Sequence, residues 1–142
     1  MSSPILAPAA VLILWSLVVL YWVIGTRFPA FKAAGIELVG RPPGGRYQDI
    51  ESAMPERVNW KSHNYTHLME QPTLFYAVVM VLALAGAGEG VNLMLAWAYV
   101  GLRVVHSIWQ SLFNTVPVRV MLFALSTLCL TVLAVNAVIA TI

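Results

Sequence analysis

Charged residues are scarce in this sequence. They make up 10% of its 142 residues, whereas a soluble domain carries about 25%. The net charge is only +2 at pH 7, and the basic residues form no basic arm, which argues against nucleic acid as a partner. A single cysteine, Cys129, excludes an internal disulfide, and its apolar neighbours predict a small buried side chain.

Apolar residues dominate instead. They account for 60% of the chain, and the mean hydropathy is +0.81, which indicates an integral membrane protein in contact with the lipid bilayer. Apolar runs predict four helices, at residues 5–26, 56–85, 91–114 and 117–141, each near the ~20 residues that a membrane span needs. No Lys or Arg occurs in residues 1–10, so we expect a retained helix rather than a signal peptide. The predicted fold is an all-α, integral membrane four-helix bundle that forms a single domain.

The one long polar segment is the loop at residues 27–55. Its Pro- and Gly-rich centre, from Gly40 to Tyr47, excludes a regular helix. A loop of this length either connects two helices or folds over a site. It carries Arg27, Lys32, Arg41 and Arg46, whereas the turn after the second helix carries only Glu89. The positive-inside rule then places the loop in the cytoplasm and both termini outside.

Polar side chains follow one face of two predicted helices. In the third helix, Arg103, His106, Gln110 and Asn114 are spaced by three, four and four residues, which places them within an arc of about 80°. In the second helix a similar face comprises Trp60, His63, Asn64, His67, Glu70 and Gln71. Because a polar stripe is costly in lipid, it normally faces a bundle interior or a wet cavity. We therefore expect the two faces to meet, with Arg103 paired to Glu70 and a kink at Pro72.

Histidine spacing on the second helix raises the question of a metal. His63, His67 and Glu70 occupy positions i, i+4 and i+7, and His106 could add a fourth ligand. Histidines at this helical spacing are common by chance, and the segment is not a His-Glu-x-x-His motif. We therefore predict no metal site and expect the histidines to hydrogen-bond to a ligand or to neighbouring helices.

The order of these motifs resembles a known family. The pattern Asn64-x-x-His67-x-x-Glu70, followed by Pro72 and Phe75, is joined by Arg103-x-x-His106 and Pro117-x-Arg119. Together with the four-span frame, it is similar to the MAPEG family, the membrane-associated proteins of eicosanoid and glutathione metabolism. The short second helix, with Leu74-Phe75-Tyr76-Ala77 after the proline, looks like that of bacterial members, which implies a multi-pass protein of the bacterial inner membrane.

The resemblance implies a homotrimer that binds glutathione as co-substrate between subunits, near the cytoplasmic face. Glu70 matches the family's glutamate at the glutathione amino end, and either Asn64 or His67 matches the asparagine before it. Arg103 and His106 match the pair in the third helix, and Arg119 matches the arginine that stabilises the thiolate. Two positions depart from the family pattern, because Gln110 stands where active members often have a tyrosine and Val120 where some have a serine.

Two functions follow as hypotheses. The first is a glutathione S-transferase-like or peroxidase-type enzyme acting on a lipophilic small molecule, with Arg119 as catalytic residue. Asn64, His67, Glu70, Arg103, His106 and Gln110 would then bind glutathione. The second is a non-catalytic scaffold or accessory subunit of a larger membrane complex, in which the polar stripes serve assembly only.

Overall fold

The computed structural model describes residues 3–142, and this part of the chain contains helices and turns but no β-strand. The α-helices are α1 Leu6–Ala33, α2 Glu56–Leu68, α3 Pro72–Leu84, α4 Gly90–Leu112 and α5 Val116–Thr141. Helices α2 and α3 form one span, so the described chain has four segments long and apolar enough to cross a membrane. The prediction of an all-α membrane four-helix bundle is confirmed.

Helix α1 extends further than the sequence suggested. The predicted helix ended at residue 26, before Pro29, whereas the observed helix continues to Ala33 with Pro29 inside it. Pro29 removes one backbone hydrogen bond only a turn from the helix end, where the loss has little effect. Residues 6–26 are uncharged and span about 31 Å, which matches the hydrocarbon thickness of about 30 Å. The uncharged part of α1 is therefore long enough to cross the hydrocarbon, and the charged residues of this helix begin at Arg27.

Pro72 divides the second span into α2 and α3. It stands in the first turn of α3 and lacks the N–H that would bond to the carbonyl of Leu68. The chain tightens across residues 69–71, where the Glu70 N–H reaches the His67 carbonyl at 3.4 Å. The helix is interrupted before Pro72, where the sequence predicted a kink, and the interruption places Glu70 and Gln71 in a short link instead of on the face of a helix.

The loop at residues 34–55 folds back over the start of α2. Tyr47 Oη donates to Asn59 Oδ1 at 2.6 Å, and the Asn59 side-chain amide donates to the Glu51 carbonyl at 3.0 Å. The Arg27 guanidinium lies 3.9 Å from the centre of the Tyr47 ring. Two short 3₁₀ turns form this part of the loop, Tyr47–Asp49 and Glu51–Ala53. Of the two interpretations of the loop, the structure supports a cover rather than a plain connection.

The bundle interior is apolar through most of its length and polar in one region. Phe75 of α3 stacks on Tyr99 of α4 with ring centres 4.3 Å apart, at the centre of the apolar part. The C-terminal half of α4 is different, since its polar stripe is buried against α2 and α5. The buried polar residues there are Asn64, Arg103, His106, Ser107, Gln110 and Ser111. The two predicted polar faces therefore meet, and Asn114 lies just beyond the end of α4.

Candidate functional site

A cavity of about 700 Å³ lies where α2, α4 and the start of α5 meet the covering loop. This volume is typical of small-molecule sites, which range from about 300 to 1,000 Å³. Of the predicted site residues, those that line the cavity are His67, Glu70, His106, Gln110 and Arg119. The other two, Asn64 and Arg103, are fully buried and do not line it.

Arg119 is held in place by the turn that precedes its helix. It lies in the first turns of α5, where Pro117 is tolerated because the first N–H groups of a helix have no partner inside it. The Arg119 Nη1 donates to Asn114 Oδ1. Asn114 has a φ of 57°, a left-handed conformation that asparagine adopts more readily than most residues. This turn therefore aims an amide oxygen at the guanidinium and orients it beside the cavity.

His67 links a buried arginine to a carboxylate. Arg103 is fully buried, with its Nη1 at 3.2 Å from His67 Nε2 and its Nη2 donating to the His67 carbonyl at 3.2 Å. His67 Nδ1 lies 3.0 Å from Glu70 Oε2. A guanidinium can only donate, so Nε2 accepts, and the proton on Nδ1 is donated to Glu70.

The prediction that Arg103 and Glu70 pair directly is wrong. No Arg103–Glu70 ion pair forms within residues 3–142, and the imidazole of His67 lies between the two groups. The break before Pro72 explains the difference, because it carries Glu70 away from the buried face of α2 and leaves its side chain 62% exposed. The same break accompanies the contact between the His67 carbonyl and Arg103.

On α4, two buried polar atoms of cavity-lining residues have no hydrogen-bond partner in the described chain. They are His106 Nδ1 and Gln110 Oε1, one helical turn apart on α4. Both residues line the cavity, and both are more than nine-tenths buried. A buried polar group without a partner costs about 1–3 kcal/mol, so native proteins usually supply one. The missing partners make His106 and Gln110 candidates for binding a ligand with hydrogen-bonding groups.

Asn64 joins helices inside the bundle. Its Nδ2 donates to Ser107 Oγ at 2.7 Å and to Ser111 Oγ at 2.9 Å. Ser107 Oγ also accepts from Trp15 Nε1 at 3.0 Å, so this group connects α1, α2 and α4. Of the two candidates for the family's asparagine, only His67 lines the cavity.

Much of the cavity wall comes from residues that the sequence patterns did not indicate as site residues. His63 contacts Glu51 of the loop at the cavity edge. His63 could have been found, since it precedes His67 by one turn on the predicted polar face. The loop residues could not, because no periodicity indicates where an irregular segment folds. The unselected lining residues are Arg27, Tyr47, Gln48, Glu51, Ser62, His63, Thr66, Val120 and Phe123.

The histidines of α2 are engaged with different carboxylates. His63 contacts Glu51, and His67 contacts Glu70. In the described chain no group of three or more His, Cys, Asp or Glu side chains is placed to hold a metal ion. His67 instead contacts the rings of His106 and Phe123, with ring centres 5.0 Å and 5.3 Å away. The arrangement suits hydrogen bonding and ring packing.

Comparison with known proteins gives one match. The sequence profile of the MAPEG family matches residues 5–139, which is nearly the whole chain. Searches of curated proteins and of solved structures found no match.

Proposed function

Since this chain belongs to the MAPEG family, we propose that it binds glutathione in the cavity between α2, α4, α5 and the loop. The glutathione sulfur would then attack lipophilic electrophiles. The observation that carries the proposal is the grouping of a cation, a carboxylate and three hydrogen-bonding side chains around this one cavity. These residues are Arg119, Glu70, His67, His106 and Gln110.

Arg119 supplies charge that favours the thiolate. A free thiol has a pKa of about 8.5, and raising its ionisation constant a hundredfold requires about 2.7 kcal/mol. A guanidinium about 4 Å from the sulfur contributes up to about 4 kcal/mol at an effective dielectric constant near 20. The N-terminus of α5 adds about 0.3–1 kcal/mol. Because Asn114 already orients Arg119, the guanidinium loses little freedom when the ligand binds.

The charges around the cavity suit a zwitterionic tripeptide. Arg27 and Arg119 are cationic, and Glu51 and Glu70 are anionic. Glutathione carries one ammonium and two carboxylates at neutral pH. We expect Glu70 to receive the ammonium and Arg27 to receive a carboxylate, while the unpartnered atoms on α4 bond to peptide groups.

An apolar part of the wall offers a route from lipid. Val120 and Phe123 line the cavity, and Val120 is 58% exposed on the outer surface of α5. In conjugation, the sulfur lone pair forms a bond to the electrophilic carbon, and the leaving group departs with its electron pair. With a hydroperoxide, two glutathione molecules yield the disulfide, an alcohol and water.

Calorimetric titration of glutathione into the detergent-solubilised protein tests the proposal. We expect saturable binding that weakens ten- to a hundredfold in Arg119→Ala, since a hydrogen bond to a charged group is worth about 1.5–3 kcal/mol. Arg57→Ala is the matched control, because Arg57 is exposed on α2 outside the cavity and should bind within twofold of wild type. Absence of binding at millimolar glutathione, or equal weakening in both variants, would reject the proposal.

A non-catalytic scaffold is the second candidate. It is favoured by the contacts of Arg103 and Asn64, which join helices inside the bundle and do not reach the cavity. Under this hypothesis the protein keeps its stability and assembly but binds no glutathione, so the same titration separates the two.

We further propose a homotrimer in a bacterial inner membrane with the loop cytoplasmic. Native mass spectrometry would test the trimer, and labelling of a cysteine introduced into the loop, in intact cells, would test its cytoplasmic position.

A further inference from the structure

A second cavity, of about 640 Å³, lies between the last turns of α1 and the loop. Arg27 lines both this cavity and the first one, and Tyr47 also belongs to both. The ligand proposed for the first cavity engages Arg27 but leaves the rest of this second space unfilled. Its lining therefore calls for a ligand of its own.

The second cavity carries an excess of positive charge. Three arginines line it, Arg27, Arg41 and Arg46, against one carboxylate, Asp49. Asp49 is already paired with Arg46, at 3.3 Å between Oδ1 and Nη2. Arg41 donates its Nε to a backbone carbonyl at 3.0 Å. Arg27 Nη2 donates to Ser62 Oγ at 2.7 Å, while Arg27 Nε is buried without a partner in the described chain. The first cavity, by contrast, has as many carboxylates as arginines.

The rest of the lining is mostly apolar and partly exposed on the surface of the protein. Ile24, Phe28 and Leu38 line the cavity and keep large exposed surfaces, 53% in the case of Phe28. Arg27 lies about 31 Å along α1 from Leu6, which is the depth at which phospholipid phosphates begin. The ligand should therefore have an anionic head and an apolar tail.

We propose that this cavity binds the phosphate headgroup of an anionic phospholipid, with the acyl chains running along Ile24 and Phe28. Guanidinium groups bind phosphate oxygens through paired N–H donors. Basic pockets beside membrane helices on the cytoplasmic side are suited to anionic headgroups. The apolar wall distinguishes a lipid from free phosphate, because inorganic phosphate would leave that wall without a partner.

The test is lipid binding to the purified full-length protein in a non-ionic detergent. Phosphatidylglycerol, phosphatidylcholine and inorganic phosphate are titrated separately, and bound lipid is counted by native mass spectrometry. We expect one saturable phosphatidylglycerol site, with at least tenfold weaker binding of the other two. Arg41→Gln and Arg46→Gln should each weaken phosphatidylglycerol about fivefold, since one basic residue near anionic lipid is worth about 1 kcal/mol.

Lys32→Gln is the matched control. This substitution also removes one positive charge near the end of α1. Because Lys32 does not line the cavity, phosphatidylglycerol binding should stay within twofold of wild type. Both arginines are exposed, so their variants should unfold at the wild-type midpoint without lipid. Equal binding of phosphatidylcholine, equal binding of inorganic phosphate, or an equal loss in Lys32→Gln would overturn the proposal. An equal loss in Lys32→Gln would indicate that the lipid responds to surface charge in general rather than to this cavity. None of these measurements involves glutathione, so they stand apart from the proposed function.

Discussion

Replacing His67 with alanine removes an imidazole that contacts α4, α5 and the link between α2 and α3. The imidazole accepts from Arg103 Nη1 at 3.2 Å and lies within 3.0 Å of a Glu70 oxygen. It also packs against the rings of His106 and Phe123. After the change, Arg103 keeps only the bond to the backbone carbonyl of residue 67 and the ring of Phe123, 6.0 Å from its guanidinium carbon.

The expected cost follows from these contacts. Losing one hydrogen bond to a charged donor costs about 1.5–3 kcal/mol. Complete loss of the partner of a buried charge costs about 3–5 kcal/mol, and the retained carbonyl bond keeps the effect below that range. The removed ring borders an existing cavity that water can fill, so the lost packing adds little to the free-energy cost. We therefore expect the free energy of unfolding to fall by about 2 kcal/mol.

Equilibrium unfolding in mixed detergent micelles, followed by circular dichroism, measures this loss. His63→Ala is the matched control: it removes a histidine from the same helix whose side chain is 52% exposed and contacts Glu51. An exposed pair of this kind is worth about 0–1 kcal/mol. His67→Gln should recover part of the loss, since its amide oxygen can accept from Arg103. Equal destabilisation by the two alanine substitutions would refute the assigned role of His67.

Two further predictions concern the turn and the loop beside the first cavity. Asn114→Gly keeps the left-handed backbone but removes the amide that orients Arg119. The thiolate absorbance of bound glutathione at pH 7 should fall roughly 1.3- to 4-fold, because one hydrogen bond is worth about 0.5–1.5 kcal/mol; an unchanged thiolate fraction would contradict this. Tyr47→Phe removes the bond to Asn59, and limited proteolysis of the loop should become about fivefold faster for a loss of about 1 kcal/mol. Tyr21→Phe, at an exposed position on α1, should leave the cleavage rate unchanged. Equal cleavage rates in the two variants would show that the Tyr47–Asn59 hydrogen bond does not hold the loop.

The number of membrane spans and the buried face of α4 could be predicted from the sequence alone. A bilayer offers no water to backbone groups, so each span must be a helix of a fixed minimum length with apolar side chains. Four apolar runs therefore predicted four spans, and the three- and four-residue spacing on α4 predicted which side chains share its buried face. Pro72 predicted the break because its missing N–H acts locally, on the carbonyl four residues earlier. Pro29 obeyed the same rule with a smaller effect, since it lies one turn from the end of α1.

Tertiary structure decided which of these side chains meet and which reach the cavity. Arg103 and Glu70 looked like partners by charge and depth, but the break at residue 69 moved the carboxylate and placed His67 between them. Asn64 and His67 are equivalent by spacing, yet the neighbouring serines of α4 hold the first inside the bundle while the second lines the cavity. The loop contributes walls to both cavities through contacts with α1 and α2 that no local pattern encodes. Periodicity determines the direction of a side chain from its own helix, whereas its partner depends on the relative position of segments far apart in the chain.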